Sequence, residues 1–212
     1  MLKGILFDFD GTLVDTNGLI LKSMRATFSK LLNDPDVSDD VLLDCIGPPL
    51  VATARRFLPE DEQLFVDTYR EFCFEYHDEL VEIYPGVVEL LVRLRESGFK
   101  LVVVTSKKRD MLLKGLNATG IADFFDELVC EEDVDNHKPE PDAVLVAMER
   151  AGLAPDECLM VGDNYHDILS ARAAGVRSVA VGWSIKGIDY LKGFEPDYVI
   201  DEASDLLMIL GE

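Results

Sequence analysis

Apolar and polar positions along the chain follow two different periods. After residue 86, short runs of apolar, often β-branched residues alternate with stretches in which apolar residues recur every three or four positions. The runs are typical of buried strands, and the longer stretches are typical of amphipathic helices. The predicted strands lie at 101–105, 127–130, 158–162, 178–182 and 198–200, and the predicted helices at 87–96, 110–119, 142–151, 166–174 and 204–210.

One more strand is predicted near the N-terminus, where the apolar run Ile5–Phe7 precedes Asp8. Apolar strands that alternate with helices indicate an α/β fold in which helices cover both faces of a mostly parallel sheet. In such folds ligands bind beyond the carboxyl ends of the strands, where the strand order reverses. Functional residues are therefore expected directly after the strands.

Between the first strand and residue 85 the chain shows only the helical period. The predicted helices of this region lie at 20–31, 38–45, 50–57 and 65–80. Turn-forming residues separate them, and Tyr84-Pro85-Gly86 closes the region. We therefore predict a small all-helical domain at 16–84, inserted into an α/β core formed by 1–15 and 85–212.

Charge and cysteine content narrow the classes of protein that fit. The 212 residues carry a formal net charge of −21, which disfavours nucleic acid and anionic membranes as partners. The four cysteines form no metal-ligand spacing, and reduced core thiols are expected. No signal peptide and no bilayer-length apolar run is recognised, so we expect a cytoplasmic protein. Its expected partner is a small metabolite, and its expected state is a monomer or homodimer.

Polar residues that can carry chemistry follow four of the predicted strands. They are Asp8, Asp10 and Gly11 after the first strand, Thr105 and Ser106 at the end of 101–105, Lys138 after 127–130, and Asp163 and Asp167 after 158–162. Each alone has an ordinary explanation, such as an Asx-turn, a solvated lysine or a helix N-cap. Their joint occurrence at one edge of one sheet favours chemistry on a phosphate ester.

The two acidic residues of the first motif have complementary roles in such a reaction. Asp8 is the predicted nucleophile, because carboxylates attack phosphorus to give aspartyl-phosphate intermediates. Asp10 is the predicted general acid for the leaving oxygen and the later base for water. Gly11 permits a sharp turn and is expected to bring backbone N–H groups close to an anion.

The remaining residues supply charge and metal ligands. Thr105 can donate a hydrogen bond to a phosphoryl oxygen, and Lys138 provides a compact positive charge for the same group and for Asp8. Asp8, the Asp10 backbone carbonyl and Asp163 offer hard oxygen ligands suited to Mg²⁺. Asp167 is expected either to hold the waters of the metal or to orient Lys138.

This ordered set of residues resembles the haloacid dehalogenase superfamily of phosphatases. The family motif DxDGT is present from Asp8 to Thr12, the strand-end hydroxyl is Thr105, the lysine before proline is Lys138, and GDxxxD contains Asp163 and Asp167. The resemblance implies a Rossmann-like, doubly wound core with a mobile helical cap, and Mg²⁺ as cofactor. Within the superfamily the chain is similar to the phosphoglycolate phosphatase group.

Three other activities remain open at this point. The segments 183–198 and 46–50 are similar to a group of bacterial pyrophosphatases, and a phosphomutase of the same superfamily is also compatible with the motifs. A receiver-like signalling domain shares the Asp, Thr and Lys set, but such domains lack an acid two residues after the nucleophile and lack a cap. A phosphoglycolate phosphatase-like activity is the leading expectation.

Residues outside the four motifs are expected to contact the substrate as well. Ser106 and the 47–50 loop, beginning with Gly47, are candidates for substrate binding, and Arg55 or Arg56 for anion contact. Lys107 and Lys108 are expected to add positive potential near Thr105. His137 and His166 are expected to be exposed loop residues, because loops run over the surface.

Overall fold

Residues 1–211 are described by the computed structural model of this protein, without the side chain of Asp78. Its strands are β1 (Gly4–Phe7), β2 (Val14–Asp15), β3 (Glu82–Ile83), β4 (Lys100–Val104), β5 (Glu127–Val129), β6 (Cys158–Gly162), β7 (Arg177–Val181) and β8 (Tyr198–Ile200). Its α-helices are α1 (Asn17–Leu32), α2 (Asp39–Asp44), α3 (Leu50–Phe57), α4 (Glu62–Tyr76), α5 (Val87–Glu96), α6 (Arg109–Thr119), α7 (Asp142–Ala151), α8 (Tyr165–Ala173), α9 (Ile188–Lys192) and α10 (Asp205–Leu210).

Six strands form one parallel sheet in the order β5-β4-β1-β6-β7-β8. The predicted Rossmann-like, doubly wound fold is therefore confirmed. The chain order runs outwards in both directions from β1, which pairs with β4 on one side and with β6 on the other. This reversal of strand order places the expected ligand site beyond the carboxyl end of β1.

Buried apolar side chains hold the helices on this sheet. One cluster joins Leu6 of β1 and Val102 of β4 to Val144 and Ala147 of α7, all of them fully buried. Glycines Gly120 and Gly152 end α6 and α7 in the left-handed conformation, with φ of 69° and 64°. Glycine adopts this conformation without a steric penalty, which is why each helix ends there.

The chain divides into two compact units, Met1–Asp15 with Glu82–Glu212 and Thr16–Val81. The predicted border after residue 84 differs from this division by a few residues. The reason is a two-residue antiparallel pairing of β2 with β3, in which Val14 lies opposite Ile83 and Asp15 opposite Glu82. Segments this short carry no recognisable hydrophobic period, so the sequence did not reveal them.

The unit Thr16–Val81 contains helices α1 to α4 around its own apolar core. Phe28 of α1 lies at its centre, with ring centroids 4.7 Å from Phe57 and 6.0 Å from Phe65. The Ser38 hydroxyl accepts from the Val41 N–H at 3.5 Å and begins α2. The aromatic spacing predicted a helix to residue 80, whereas α4 ends at Tyr76 and is followed by a 3₁₀ turn.

Candidate active site

Three adjacent strands deliver polar side chains to one edge of the sheet. Asp8 follows β1, Thr105 follows β4, and Asp163 follows β6. The Asp8 N–H donates to the Val161 carbonyl at 2.9 Å, and the Thr105 N–H donates to the Val129 carbonyl at 2.9 Å. The sheet ladder therefore continues to these residues and fixes their backbones, while their side chains lie beyond the last strand residues.

Lys138 is the buried cation of this edge. Its Nζ donates to Asp8 Oδ1 at 3.0 Å, to Asp167 Oδ1 at 2.6 Å and to the Val104 carbonyl at 3.1 Å, and the residue is 5% exposed. Burial lowers the pKa of Lys138, but the charges of Asp167 and Asp8 outweigh it and hold the pKa above its ordinary value. Since an ammonium has three donors, all of them are engaged, and Asp167 orients the lysine.

Carboxylate oxygens of Asp8, Asp163 and Asp167 lie within 4.8 Å of one another, and all three residues are buried. Burial, followed by the charges of Asp8 and Asp167, raises the pKa of Asp163 well above its ordinary value. Burial likewise raises the pKa of Asp8 to about 7, against the opposing effect of Lys138. Three carboxylates face one ammonium, so the ionised cluster has a surplus of negative charge.

A divalent cation fits this cluster. No donor among residues 1–211 hydrogen-bonds to the Asp163 carboxylate, although burial of a charged group without a partner is costly. The Asp167 oxygens are engaged, one by Lys138 and the other by the Asn164 N–H at 3.1 Å. Asp8 and Asp163 therefore offer the oxygens best placed for a hard cation such as Mg²⁺, with Asp167 behind them.

Two glycines make room for these carboxylates. A Cβ on Gly11, which has φ +79°, would overlap Asp163 Oδ2, and a Cβ on Gly162 would overlap the Asp167 carboxyl group. The Gly11 N–H donates to the Val14 carbonyl at 2.9 Å, so in this structure it is not available to an anion. The glycine of the DxDGT motif is thus explained by its turn and by the close approach of Asp163, and its predicted contact with substrate remains a prediction.

The Asp10 side chain is not one of the three clustered carboxylates, although its charge contributes to the raised pKa of Asp8 and of Asp163. Lys107 Nζ lies 2.6 Å from Asp10 Oδ1, and both side chains are largely buried. The metal contact predicted for Asp10 involves its backbone carbonyl, which leaves the carboxyl group for acid–base catalysis. The position of the side chain is compatible with that second role. Lys107 is therefore a second cation at this edge, joined to a different carboxylate from Lys138.

The hydroxyl residues after β4 differ in burial. Thr105 is 4% exposed, and its Oγ1 accepts from the Lys107 N–H at 3.2 Å. Its hydroxyl proton has no acceptor among residues 1–211 and can be donated to a ligand. Ser106 is only half-buried and follows it in the same loop. These positions are compatible with the predicted phosphoryl contacts.

The segment after β7 carries two residues that were assigned no role from the sequence. Trp183 Nε1 donates to the Thr12 carbonyl at 3.2 Å, and Ser184 Oγ donates to the Asp163 carbonyl at 2.6 Å. Ser184 Oγ also accepts from the Lys186 N–H at 3.1 Å. The segment therefore ties together the loops that follow β1 and β6. Only the similarity of this stretch to other sequences could have drawn attention to it.

His166 is not the exposed loop residue that the sequence suggested. It lies in the first turn of α8, is 4% exposed, and its Nδ1 is 3.0 Å from Asn164 Oδ1. Burial lowers its pKa to about 4. The prediction was wrong because a histidine four residues after a strand is expected in a surface loop, whereas α8 already begins at Tyr165 and turns the ring inwards. His137 is half-buried.

The predicted substrate contacts of the helical unit have defined partners within that unit. Arg55 donates to the two carboxylate oxygens of Glu62 at 2.8 and 3.1 Å. Arg56 lies 3.9 Å from Asp44, and Gly47 follows α2 with φ +106°. Their contact with substrate remains a prediction.

The fold and this constellation define a class of enzyme. Residues 5–181 match the family of haloacid dehalogenase-like hydrolases, and the chain belongs to this family. It is a hydrolase of the phosphatase type. The superfamily inferred from the four motifs is therefore confirmed.

Two bacterial pyrophosphatases are similar to the chain over nearly its full length. The chain is 45% identical over 210 residues to the pyrophosphatase PpaX of Halalkalibacterium halodurans, covering 99% of this chain and 97% of that protein. It is 44% identical to the pyrophosphatase PpaX of Bacillus velezensis, with the same coverage.

Solved structures share the fold. A haloacid dehalogenase-like hydrolase of Streptococcus pneumoniae superposes with a TM-score of 0.88 at 26% identity, covering 99% of this chain and 98% of that one. A predicted phosphoglycolate phosphatase of Haemophilus somnus gives a TM-score of 0.86 at 28% identity, with the same coverage.

Among residues 1–211, no helix combines the length and apolar character needed to cross a bilayer.

Proposed function

We propose that this protein is a Mg²⁺-dependent inorganic pyrophosphatase that works through an aspartyl-phosphate intermediate. The observation that carries the proposal is the buried Asp8–Asp163–Asp167 cluster around Lys138 at the carboxyl end of β1. The sequence alone made phosphoglycolate the leading candidate substrate. We favour pyrophosphate instead, because the pyrophosphatases named above are 44–45% identical to the chain over nearly its full length.

The reaction begins with Asp8 as nucleophile. One Asp8 carboxylate oxygen forms a bond to phosphorus while the P–O bond to the bridging oxygen breaks, and the second phosphate leaves with that bonding pair. Lys138 holds Asp8 in place through its bond to Oδ1, and Thr105 donates its hydroxyl proton to a phosphoryl oxygen. A Mg²⁺ ion bound by Asp8 and Asp163 would neutralise charge that develops on the transferred phosphoryl group.

Hydrolysis of the intermediate completes the cycle. Water attacks the phosphorus of the aspartyl phosphate, Asp10 accepts a proton from that water, and the Asp8 carboxylate leaves. The products are two phosphate ions for each pyrophosphate consumed. The substrate is then a small phosphorylated anion, and the formal net charge of −21 gives no reason to expect nucleic acid or a membrane as partner.

Phosphoglycolate is the second candidate substrate. It is supported by the structural similarity to the predicted phosphoglycolate phosphatase of Haemophilus somnus, at 28% identity. A phosphate monoester uses the same nucleophile and metal ligands. It differs in its leaving group, an alcohol that needs a proton from Asp10.

A substrate comparison tests the proposal. Purified enzyme is assayed for phosphate release from pyrophosphate, phosphoglycolate and glucose 1-phosphate, each with MgCl₂ and with excess EDTA. The Asp8→Asn variant, purified in the same way, measures contaminating host phosphatases, and circular dichroism checks that it is folded. We expect the largest kcat/KM for pyrophosphate, loss of activity in EDTA, and no turnover by Asp8→Asn.

Two results would overturn the proposal. Preference for phosphoglycolate would assign the enzyme to the monoester class. Activity that is indifferent to chelation, or an Asp8→Asn variant as active as the wild type, would remove the proposed mechanism.

A further inference from the structure

Lys107 differs from the surface lysines of the chain in how firmly it is held. Its N–H donates to Thr105 Oγ1 at 3.2 Å, and its carbonyl accepts from the Glu131 N–H at 3.0 Å. Its side chain is 13% exposed, and Nζ lies 2.6 Å from Asp10 Oδ1. Backbone and side chain are thus both fixed, so this ammonium is positioned at the active site before any substrate arrives.

The two active-site lysines differ in the donors that they have left. Lys138 uses all three of its N–H groups on Asp8, Asp167 and the Val104 carbonyl. Lys107 makes one side-chain hydrogen bond, to Asp10, and its other two donors have no acceptor among residues 1–211. Of the two cations, Lys107 is therefore the one that can donate to a ligand without giving up a protein contact.

The place of Lys107 indicates which part of a ligand it would meet. Asp8 receives the transferred phosphoryl group, and Asp10 faces the leaving oxygen in the proposed reaction. An ammonium 2.6 Å from Asp10 therefore lies on the leaving-group side. An alcohol leaving group is neutral once protonated and makes little use of such a charge. The leaving phosphate of pyrophosphate is an anion throughout.

Building on the proposed pyrophosphatase function, we propose that Lys107 is a specificity residue that binds the leaving phosphate of pyrophosphate. It selects a diphosphate over a monoester by charge-assisted hydrogen bonds. In a chain of net charge −21, which repels anions at long range, such a local cation attracts the leaving phosphate at short range. No new covalent step is involved: the leaving phosphate departs with the bonding pair while Lys107 donates to its oxygens.

Substitution of Lys107 tests this role by substrate preference. The variants are Lys107→Met and Lys107→Arg, and the control is Lys192→Met, which removes the same charge from an exposed lysine. For each enzyme, kcat/KM is measured for pyrophosphate and for glycerol 2-phosphate, whose leaving group is an alcohol. The ratio of the two values cancels the fraction of folded enzyme.

We expect Lys107→Met to lower the pyrophosphate kcat/KM by roughly 10- to 100-fold, the effect of one charged hydrogen bond. The glycerol 2-phosphate value should change much less, Lys107→Arg should recover most of the loss, and Lys192→Met should keep the wild-type ratio. An equal loss on both substrates would overturn the proposal, because Lys107 would then only orient Asp10. An unchanged ratio would overturn it as well.

A binding measurement separates this proposal from the proposed function. Calorimetry with MgCl₂ compares imidodiphosphate, a diphosphate with a bridging nitrogen, with inorganic phosphate. Lys107→Met should lose at least about tenfold of the preference for imidodiphosphate. If the wild type does not hydrolyse pyrophosphate, the proposed function fails, and the binding ratio still decides for or against Lys107. Equal ratios in the wild type and Lys107→Met would refute its role.

Discussion

Replacing Lys138 with methionine removes the only cation in contact with the buried Asp8 and Asp167 carboxylates among residues 1–211. Methionine has a similar length and fills much of the same space, so the loss is mainly one of charge and hydrogen bonds. Three carboxylates, including Asp163, would remain together with no ammonium to offset them. We expect Lys138→Met to be strongly destabilised when no metal is present.

The size of the effect follows from the burial of the group. Removing one partner of a buried ion pair costs about 3–5 kcal/mol, because the remaining charge stays desolvated. For a chain of this length each kcal/mol lowers the melting temperature by roughly 2–4 °C, so a fall of roughly 6–20 °C is expected. The Val104 carbonyl also loses its donor, an additional cost in the same direction.

Urea unfolding and thermal melts, both in EDTA, measure this difference. Lys192→Met is the matched control: its Nζ lies 3.8 Å from Asp189 at the surface, and exposed pairs contribute about 0–1 kcal/mol. The double variant Lys138→Met/Asp167→Asn also removes the charge of the Asp167 carboxylate, which the loss of Lys138 leaves without its cation. It should recover roughly 0.5–3 kcal/mol relative to Lys138→Met, the range of coupling energies between contacting residues.

Two outcomes would refute this reasoning. If Lys138→Met unfolds at the same urea concentration as the wild type, the buried carboxylates do not depend on the lysine. If the double variant is no more stable than Lys138→Met, the loss comes from packing and not from unbalanced charge.

Two further predictions concern residues beside the carboxylate cluster. The pKa of His166 is lowered by burial from 6.5 to about 4, so its neutral form stabilises the fold fully above pH 6.5, and this contribution is lost as the pH falls from 6.5 to 4. At pH 5 this lowers the free energy of unfolding by about 2 kcal/mol. The urea midpoint should therefore fall less between pH 7 and pH 5 in His166→Asn than in the wild type. Equal falls in the two proteins would contradict this prediction. Ser184→Ala removes the 2.6 Å bond to the Asp163 carbonyl, so we expect it to raise the Mg²⁺ concentration needed for half-maximal activity, with Ser184→Thr closer to the wild type. An unchanged Mg²⁺ dependence in Ser184→Ala would show that the bond is structural only.

Much of the fold could be predicted because its elements are long enough to carry a period. The apolar runs of β4, β6 and β7 and the stretches of α5, α6 and α7 were each located to within about a residue or two at their ends, as expected for well-bounded segments. The β2–β3 pairing and the five-residue helix α9 were missed. Two residues are too few to show the alternation of a strand, and the five residues of α9 make little more than one helical turn. The structure of such segments depends on what they pack against.

For the candidate site, the sequence predicted which residues meet at one edge of the sheet. In a parallel sheet, chain order and strand ends are enough to bring Asp8, Thr105 and Asp163 to one edge. Their exact partners were not predictable. Lys107 was expected to add only general positive potential, yet it pairs with Asp10, and His166 was expected in solvent, yet it is buried.

The sequence by itself determined the class of fold, the residues of the four motifs and the kind of chemistry that they can support. These follow from local periodicity and from the types of side chain at strand ends. Both features depend only on residues that are neighbours in the sequence. Only the tertiary structure decided that Asp167 orients Lys138, that the Gly11 N–H is already engaged, and that Ser184 supports Asp163. Those assignments depend on which donor reaches which acceptor in space, and residues such as Ser184 and Asp163 come together only when the whole sheet has formed.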